Sequence, residues 1–469
     1  MSRILKYFLS SSLSIIVGCN VSKDIEKPKP ELPTAFRYAT VSDTSSIADI
    51  GWKQFFTDNS LQKLIDSAIR YNYDMQYALK NIETARLVLK QTKFAYLPEA
   101  SLNLTGSLSR PSDNSLDGIS LSQFIGKSYI EDYSANISLS WEADIWGKIK
   151  NQKKIALSQY FQTAEARKAL QTSIVANIAA SYYNLLMLDE QLRIAKQNVL
   201  LNDSTLQMIR LEYDAGQQTA LAIQQADAQR LVAAQLIPEF EQEIVIQEDA
   251  LSILTGFLPG AIERDVSLSM ISIPESLSTG IPAEMLNRRP DVRGSELAID
   301  IANAQVGIAK ANLYPSLSIT AQGGLNSFMA SNWFNIPASL FGAVAGGIVE
   351  PLFQREELKT QFALAKVNRE KAVISFRGAV LNAVGEVSDA LVKIQKLKEQ
   401  RQIAANRVSV LRVAINNAGQ LFRNGLATYL EVITAQSNSL AGELELASLK
   451  QAQLSANIEL YKSLGGGWR

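Results

Sequence analysis

The single cysteine of this 469-residue chain, Cys19, stands in a setting suited to covalent modification. A basic start and an apolar, hydroxyl-rich run over 7–17 precede it, which is typical of an export signal. The run is too short to span a bilayer as a helix. Residues 16–19 (Ile-Val-Gly-Cys) resemble the bacterial lipobox, which predicts a signal peptide over 1–18 and a diacylglycerol on the Cys19 sulfur. Such a lipid tethers a protein to a leaflet without spanning it. An ordinary secretory signal that happens to contain a cysteine is the alternative.

The composition excludes most catalytic and metal-binding chemistry. Histidine is absent, which excludes His-dependent acid/base catalysis, Ser-His-Asp triads and imidazole metal sites. Without a second cysteine there is no intrachain disulfide and no multi-thiolate metal site. Lysine plus arginine equals aspartate plus glutamate at 46 each, so no net charge points to nucleic acid. The sequence therefore predicts no enzyme, no metal and no cofactor beyond the lipid on Cys19.

Two charged clusters resemble active-site material by charge density alone. Residues 288–293 contain three arginines and Asp291, and Glu142 and Asp144 lie two residues apart. Acid/base chemistry would require a pocket and a partner group. Asp291 suits the first turn of a helix, and Asp144 suits a helix cap at a junction between strand and helix. We therefore expect a structural role for both clusters.

An internal repeat sets the organisation of the chain. Three pairs of segments match at nearly constant offsets of 206 to 217 residues: 72–102 with 289–319, 170–188 with 376–394, and 213–219 with 422–428. Such self-similarity predicts two copies of one structural unit. The predicted segments are a lipidated linker over 19–58, repeat 1 over 59–260, an inter-repeat linker over 261–285 and repeat 2 over 286–469.

The hydrophobic period separates helices from strands within each repeat. Apolar residues recur at steps of 3 and 4 over 146–212 and 353–421 without proline, which predicts two long amphipathic helices. Roughly 65 residues make a rod of about 100 Å, which must pack laterally against other long helices. Period-two alternation predicts two β-hairpins, at about 101–141 and 316–350, and the polar stretch 110–132 is expected to be a loop.

The predicted strands have the length of tilted transmembrane β-strands. Four strands are too few to close a membrane barrel. Open sheet edges in lipid would leave backbone groups unpaired, so several chains must contribute to one barrel.

The chain resembles the TolC/OprM-type outer-membrane factors, in particular the lipoprotein branch that serves resistance-nodulation-division efflux pumps. The likeness covers nearly the whole chain. Besides the lipobox and the repeats, three motifs carry it: "WEADIWGK" at 141–148, "NRRPDVR" at 287–293 and "GLATYLEVITAQ" at 425–436.

This resemblance implies a mainly α fold with membrane β-strands, in which each of two tandem repeats supplies two strands and long helices. It implies a homotrimer that closes a 12-stranded β-barrel continuous with a periplasmic α-helical barrel. The implied function is that of a passive exit duct of a tripartite efflux pump. The implied location is the outer membrane, lipid-anchored and spanning. The implied partners are outer-membrane lipid, a periplasmic membrane-fusion adaptor and an inner-membrane transporter of the resistance-nodulation-division type.

The resemblance also implies a gate at the periplasmic helix tips. Three copies of Glu431 would form a ring of like charge with raised pKa values, although Thr428 and Glu431 also match a capping box. Thr434 stands where some relatives have a second acid, and Phe422 stands where relatives often have tyrosine. The residues implied to contact the adaptor are Gly216, Thr219, Gly425, Leu426, Ala427 and Thr428, although helix punctuation alone also explains the glycines and threonines.

Two other classes of protein remain open at this point. A periplasmic coiled-coil lipoprotein, such as a scaffold or the adaptor itself, would have the long helices and the lipobox but no use for four strands. A cell-envelope enzyme is disfavoured because the sequence lacks histidine, a nucleophile motif and a phosphate-binding loop. The sequence does not separate drugs, metal ions and other molecules as the transported substrate.

Overall fold

The computed structural model of the chain describes residues 32–38, 46–274 and 278–469. The predicted signal peptide and Cys19 lie outside these residues. The α-helices of the described part are α1 (Trp52–Phe55), α2 (Asn59–Tyr71), α3 (Tyr73–Thr92), α4 (Leu116–Phe124), α5 (Lys148–Asp214), α6 (Ala220–Leu254), α7 (Pro282–Arg288), α8 (Pro290–Ala311), α9 (Glu357–Arg423) and α10 (Tyr429–Ser463). The strands are β1 (Glu99–Ser109), β2 (Ile130–Glu142), β3 (Ser316–Ser327) and β4 (Leu340–Val349).

The two sequence repeats form long helices of equal length. Helices α5 and α9 each have 67 residues, and the helices that follow them, α6 and α10, each have 35. The hydrophobic period predicted α5 and α9 to within four residues at each end. No helix among the described residues combines the length and the apolar character needed to cross a bilayer.

The four strands form one antiparallel sheet in the order β1-β2-β3-β4. Strand β2 of the first repeat pairs with strand β3 of the second, so the two hairpins make a single sheet. Strands β1 and β4 are its two edges within one chain. The fold class predicted from the sequence, with two strands and long helices per repeat, is therefore confirmed.

The sheet has one apolar and one polar face, because successive side chains of a strand point to opposite sides. Register places Leu102 opposite Ile137, and Ala321 opposite Val344, on the apolar face. On the other face the hydroxyls of Ser101 and Ser138 lie 2.8 Å apart. Asn103 Nδ2 donates to Asn136 Oδ1 at 3.2 Å on the same side. In a single chain the apolar face is exposed to solvent, since nearly all residues of β1 and β4 are exposed.

The expectation of a plain loop over 110–132 is wrong. Helix α4 lies within this stretch, and β2 begins at Ile130 rather than after it. The Ser115 side chain accepts a hydrogen bond from the Gly118 N–H at 3.1 Å and caps the helix. The serines and glycine that suggest a loop therefore include the residue that starts a helix.

The described residues form two compact units, and each unit draws on both sequence repeats. One comprises Glu83–Phe161 and Leu297–Ile374 and contains the sheet. The other includes Gln162–Glu296 and Ser375–Arg469 together with described residues before Glu83. The compact units thus differ from the repeats predicted over 59–260 and 286–469, because strands and helices pair between repeats.

The core of the second unit is centred on helix α5. Tyr182, Leu185 and Leu186 are almost fully buried there against helices α2, α6 and α10. The Tyr182 hydroxyl donates to Asp58 Oδ2 at 2.9 Å, and burial raises the pKa of this tyrosine well above its usual value. Asp58 also caps helix α2 by accepting from the Ser60 N–H at 2.8 Å. This packing holds the middle of α5 against its neighbouring helices.

Candidate functional site

The turn between α5 and α6 is a Schellman motif centred on Gly216. Gly216 has φ of +75°, the left-handed conformation that favours glycine. The Gln217 N–H donates to the Glu212 carbonyl at 2.8 Å, and the Gly216 N–H donates to the Tyr213 carbonyl at 2.8 Å. Thr219 then caps α6 by accepting from the Ala222 N–H at 3.3 Å. The motif ends one helix and begins the next within five residues.

The turn between α9 and α10 repeats this geometry around Gly425. Its φ is +70°, and the Gly425 N–H donates to the Phe422 carbonyl at 2.9 Å. The Leu426 N–H donates to the Leu421 carbonyl at 2.9 Å. Leu426 is 75% exposed, and Ala427 beside it is partly buried. An apolar side chain is therefore presented to solvent at this tip.

Glu431 lies in the first turn of α10 and binds its own N-cap. Its Oε2 accepts from the Thr428 N–H at 2.8 Å and also from the Thr428 hydroxyl. These hydrogen bonds, with that from the Glu431 N–H, lower the pKa of this carboxyl below its ordinary value of 4.5. The repulsion expected in a three-membered ring acts in the opposite direction. Thr434 is exposed one turn further along the helix.

Phe422 is buried within the chain and does not face the solvent. It is 4% exposed and packs in a small cluster near the tips, which we call the tip cluster. The members of this cluster are Leu206, Ile209, Ala222, Ala226, Ala418, Phe422, Val432 and Ile433. All four long helices contribute to it, so it holds the two tip turns together.

Three neutral hydrogen bonds, which the sequence does not reveal, join α10 to the first helical hairpin, which consists of α5 and α6. The Tyr429 hydroxyl donates to Gln225 Oε1 on α6 at 2.6 Å. Further from the tip turns, Gln436 Nε2 donates to Thr205 Oγ1 at 2.8 Å in a buried contact. The third joins Gln191 Nε2 to Ser448 Oγ at 3.0 Å. No motif signals such pairs, because each partner is separated by more than 200 residues in the chain.

Helices α9 and α10 are joined differently, by charged pairs at their surface. Lys393 lies 2.8 Å from Glu459, and Arg412 lies 2.9 Å from Glu443. Arg407 pairs with Glu445 between them. Ion pairs therefore join the two helices of the second helical hairpin, α9 and α10, whereas neutral hydrogen bonds attach this hairpin to the first one.

The arginine-rich cluster at 288–293 has a structural setting. Arg289 is 7% exposed and binds both carboxylate oxygens of Asp291, at 3.0 and 2.6 Å. It also contacts Glu386 at 2.6 Å and the Ser463 carbonyl at 2.9 Å. This arginine therefore ties the start of α8 to α9 and to the end of α10.

Asp144 caps the long helix α5, as the sequence indicates. Its carboxylate accepts from the Ile149 N–H at 2.8 Å and from the Lys150 N–H at 2.9 Å. Neighbouring Glu142 forms an ion pair with Lys148 at 3.0 Å. Within the described part of the chain, no group of acidic residues could hold a metal ion.

Comparison with known proteins identifies the family. The model of the family "Outer membrane efflux protein" matches residues 64–257 and 281–466. The chain belongs to the outer membrane efflux protein family. Its two matched segments correspond to the two sequence repeats, and the recognition made from the sequence motifs is confirmed.

Relatives of similar length support the same assignment. The chain is 27% identical over 462 residues to the cation efflux system protein CusC of Escherichia coli, covering 97% of each chain. It is 26% identical over 471 residues to the probable outer membrane lipoprotein SilC of Salmonella typhimurium, covering 99% of each. The solved open state of the Neisseria gonorrhoeae MtrE outer membrane channel is 25% identical, with a TM-score of 0.85 over 96% of this chain and 99% of that one. This family member is thus an outer-membrane channel protein for efflux.

Proposed function

We propose that three copies of this chain close a 12-stranded β-barrel that continues into an α-helical tunnel. The observation that supports this assembly is the sheet, which has an apolar face, a polar face and two open edges at β1 and β4. An open edge in lipid would leave backbone groups unpaired, whereas pairing β1 of one copy with β4 of the next removes every edge. The apolar faces would then contact lipid and the polar faces would line the lumen.

Exposed apolar stripes on the helices support the same assembly. Ile403 and Val410 are seven residues apart on α9 and are 69% and 68% exposed. On α6, Ile246 and Ile253 are likewise seven apart and are 58% and 62% exposed. A seven-residue apolar repeat is the pattern that packs against another long helix. In the proposed trimer, neighbouring copies cover these stripes.

The gate of this duct lies at the tips of the two hairpins. Glu431 and Thr434 are exposed on one face of α10, so three copies can place the Glu431 carboxylates and the Thr434 hydroxyls around the axis. Opening then requires the α9–α10 hairpin to move relative to α5 and α6. Such a movement breaks the hydrogen bond from Tyr429 to Gln225 and separates the members of the tip cluster.

The adaptor binds the tip turns, and an inner-membrane transporter of the resistance-nodulation-division type supplies the energy. Each tip presents a hydrogen-bonded turn with an exposed leucine beside it, Leu426 at 75% and Leu221 at 56% exposure. Gly216, Thr219, Gly425, Ala427 and Thr428 form the backbone of these turns. Exposed apolar side chains rimmed by polar residues suit a protein partner. The lipid on Cys19 adds a tether to the outer membrane, in agreement with the lipoprotein name of the relative SilC.

Negative-stain electron microscopy of the detergent-extracted, lipid-modified protein tests the assembly. We expect narrow particles with threefold end views, longer than about 100 Å because a 67-residue helix alone has this length. Mass spectrometry of the same sample should find a diacylglycerol on Cys19, and Cys19→Ser should lack it. Compact or twofold particles would contradict the trimeric duct, and an unmodified Cys19 in the native protein would contradict the tether.

A further inference from the structure

A cleft in the second compact unit has more positive than negative charge. It measures about 240 Å³ and lies between helices α5, α9 and α10 and the linker residues 268–269. The charged side chains that line the cleft are Glu190, Arg193, Arg401, Arg412, Glu443 and Lys450. Four of these are cationic and two are anionic.

The two glutamates are already used by two of the cations. Glu190 binds Arg193 at 2.6 and 3.0 Å in a bidentate pair. Glu443 binds Arg412 at 2.9 Å. Among the described residues, no carboxylate forms an ion pair with the two remaining cations, Arg401 and Lys450. The cleft therefore holds two positive charges that have no ion-pair partner of their own among the described residues.

Arg401 also has an unused donor inside the protein. Its Nε is buried and has no hydrogen-bond partner among the described residues. A buried donor without a partner costs free energy, and a turn of the guanidinium toward an acceptor in the cleft would satisfy it. Lys450 points its ammonium at the Ser269 carbonyl, 3.0 Å away, and has further donors to offer.

The charge of Arg401 acts on Lys450. Burial, and then the positive charge of Arg401, lower the pKa of the Lys450 ammonium, while Glu190 partly offsets this effect. Two cations that disfavour each other gain most from an anion placed between them. Arginine presents a planar fork of donors that matches an oxyanion, and lysine adds a compact charge.

We propose that this cleft is a binding site for a phosphate-type oxyanion, held by Arg401 and Lys450 from helices α9 and α10 and bordered by Arg193 from α5. The anion is either free phosphate or the phosphate of a lipid headgroup. Because Arg401 and Lys450 belong to α9 and α10, binding joins these two helices, and Arg193 places α5 beside the bound anion. The site lies within one chain, so this inference does not rest on the trimer or on the gate.

Calorimetric titration of the detergent-solubilised full-length protein with inorganic phosphate tests the site. Ionic strength is held constant with chloride. We expect a dissociation constant of the order of 1 mM. The double variant Arg401→Gln/Lys450→Gln should bind at least about tenfold more weakly. The matched control is Lys196→Gln/Lys396→Gln, which removes two cations from exposed pairs outside the cleft and should bind as the wild type does.

A second titration distinguishes the source of the anion. Short-chain phosphatidylglycerol carries a phosphodiester, which has fewer charges and fewer free oxygens than inorganic phosphate. Tighter binding of phosphate assigns the site to the free ion, and tighter binding of the lipid assigns it to a headgroup. Both outcomes support the oxyanion site, provided that the cleft variant loses the binding.

Two binding outcomes would overturn the proposal, and so would a loss of stability in the cleft variant. One is the absence of any heat or thermal shift up to about 100 mM phosphate beyond that of chloride, as expected if a carboxylate of a neighbouring copy fills the cleft. The other is equal phosphate binding by the cleft variant. Because this variant removes uncompensated charges, its thermal midpoint in chloride should equal or exceed that of the wild type. A large drop in the thermal midpoint would instead show that Arg401 and Lys450 stabilise the fold.

Discussion

Glu431 is expected to act both as a helix cap and as a gate charge. Two substitutions at this position separate the two roles. Glu431→Gln retains a carbonyl oxygen that can accept from Thr428 but removes the charge. If the gate is a charge ring, the channel of Glu431→Gln should conduct more and select cations less. Its thermal midpoint should fall only slightly, because a neutral acceptor caps more weakly than a carboxylate. Glu431→Ala loses cap and charge and should lower the midpoint further. Planar-bilayer conductance and reversal potentials measure the first effect. If Glu431→Gln conducts and selects ions as the wild type does, Glu431 acts only as a helix cap.

The pH at which Glu431 titrates in the assembled channel shows which of its two interactions is stronger. Its capping hydrogen bonds lower the pKa below 4.5 in one chain. The stabilisation from the cap is therefore complete above about pH 4.5 and is lost as the pH falls through the lowered pKa. Repulsion among three copies raises the pKa instead. A conductance change that is absent in Glu431→Gln should have its midpoint below pH 4.5 if the cap dominates, and above it if the ring dominates.

Arg289 and Arg293 belong to the same motif but differ in burial and in partners. Arg289 is buried and donates to three groups. Arg293 is 44% exposed and pairs with Glu296 in its own helix turn. Arg289→Lys loses the bidentate geometry and should destabilise the fold by about 1–3 kcal/mol, since its carboxylate partners are half exposed. Arg293→Lys should cost less than about 0.5 kcal/mol. Equal thermal midpoints for both variants would contradict the structural role of Arg289.

At the scale of elements, the left-handed turn at Gly425 predicts opposite effects for two glycine substitutions close together in the chain. Gly425→Ala places a Cβ on a residue with φ of +70°, which should destabilise the tip by about 1 kcal/mol. Gly419→Ala lies in the interior of α9, where an added Cβ meets nothing within 4 Å. This control should stabilise the helix by roughly 0.5–1 kcal/mol. Hydrogen exchange at the end of α9 measures both. A stabilising Gly425→Ala would contradict the Schellman geometry.

Elements with a strong hydrophobic period were predictable, and elements set by local hydrogen bonds were not. The apolar steps of 3 and 4 continue through both 67-residue helices, so their ends were predicted closely. Helix α4 has no amphipathic period, and only the Ser115 cap signals it. The pair of Tyr429 and Gln225 depends on the alignment of two hairpins, which no local pattern encodes. The turn glycines were predictable because φ values near +70° favour glycine.

At the scale of the whole molecule, the proposed barrel makes the two faces of β4 respond oppositely to charge. Val344 lies on the apolar face, opposite Ala321, and is 80% exposed in one chain. Ala343 lies on the polar face, opposite Gln322. The two positions are adjacent in the chain and both lack a large polar group, so they form a matched pair. In a membrane barrel, Val344 must face lipid and Ala343 must face the lumen.

Val344→Arg should therefore prevent insertion or trimer formation, because an arginine on the lipid face costs about 2–4 kcal/mol near the bilayer midplane in each of three copies. Ala343→Arg should assemble normally, since its side chain remains in water. It should lower single-channel conductance and shift the selectivity toward anions, because three cations would then line the lumen. Heat-modified gel mobility of outer-membrane fractions reports assembly, and bilayer recordings report selectivity. If Val344→Arg assembles as well as Ala343→Arg does, the apolar face of the sheet does not contact lipid, and the four strands serve some purpose other than a membrane barrel.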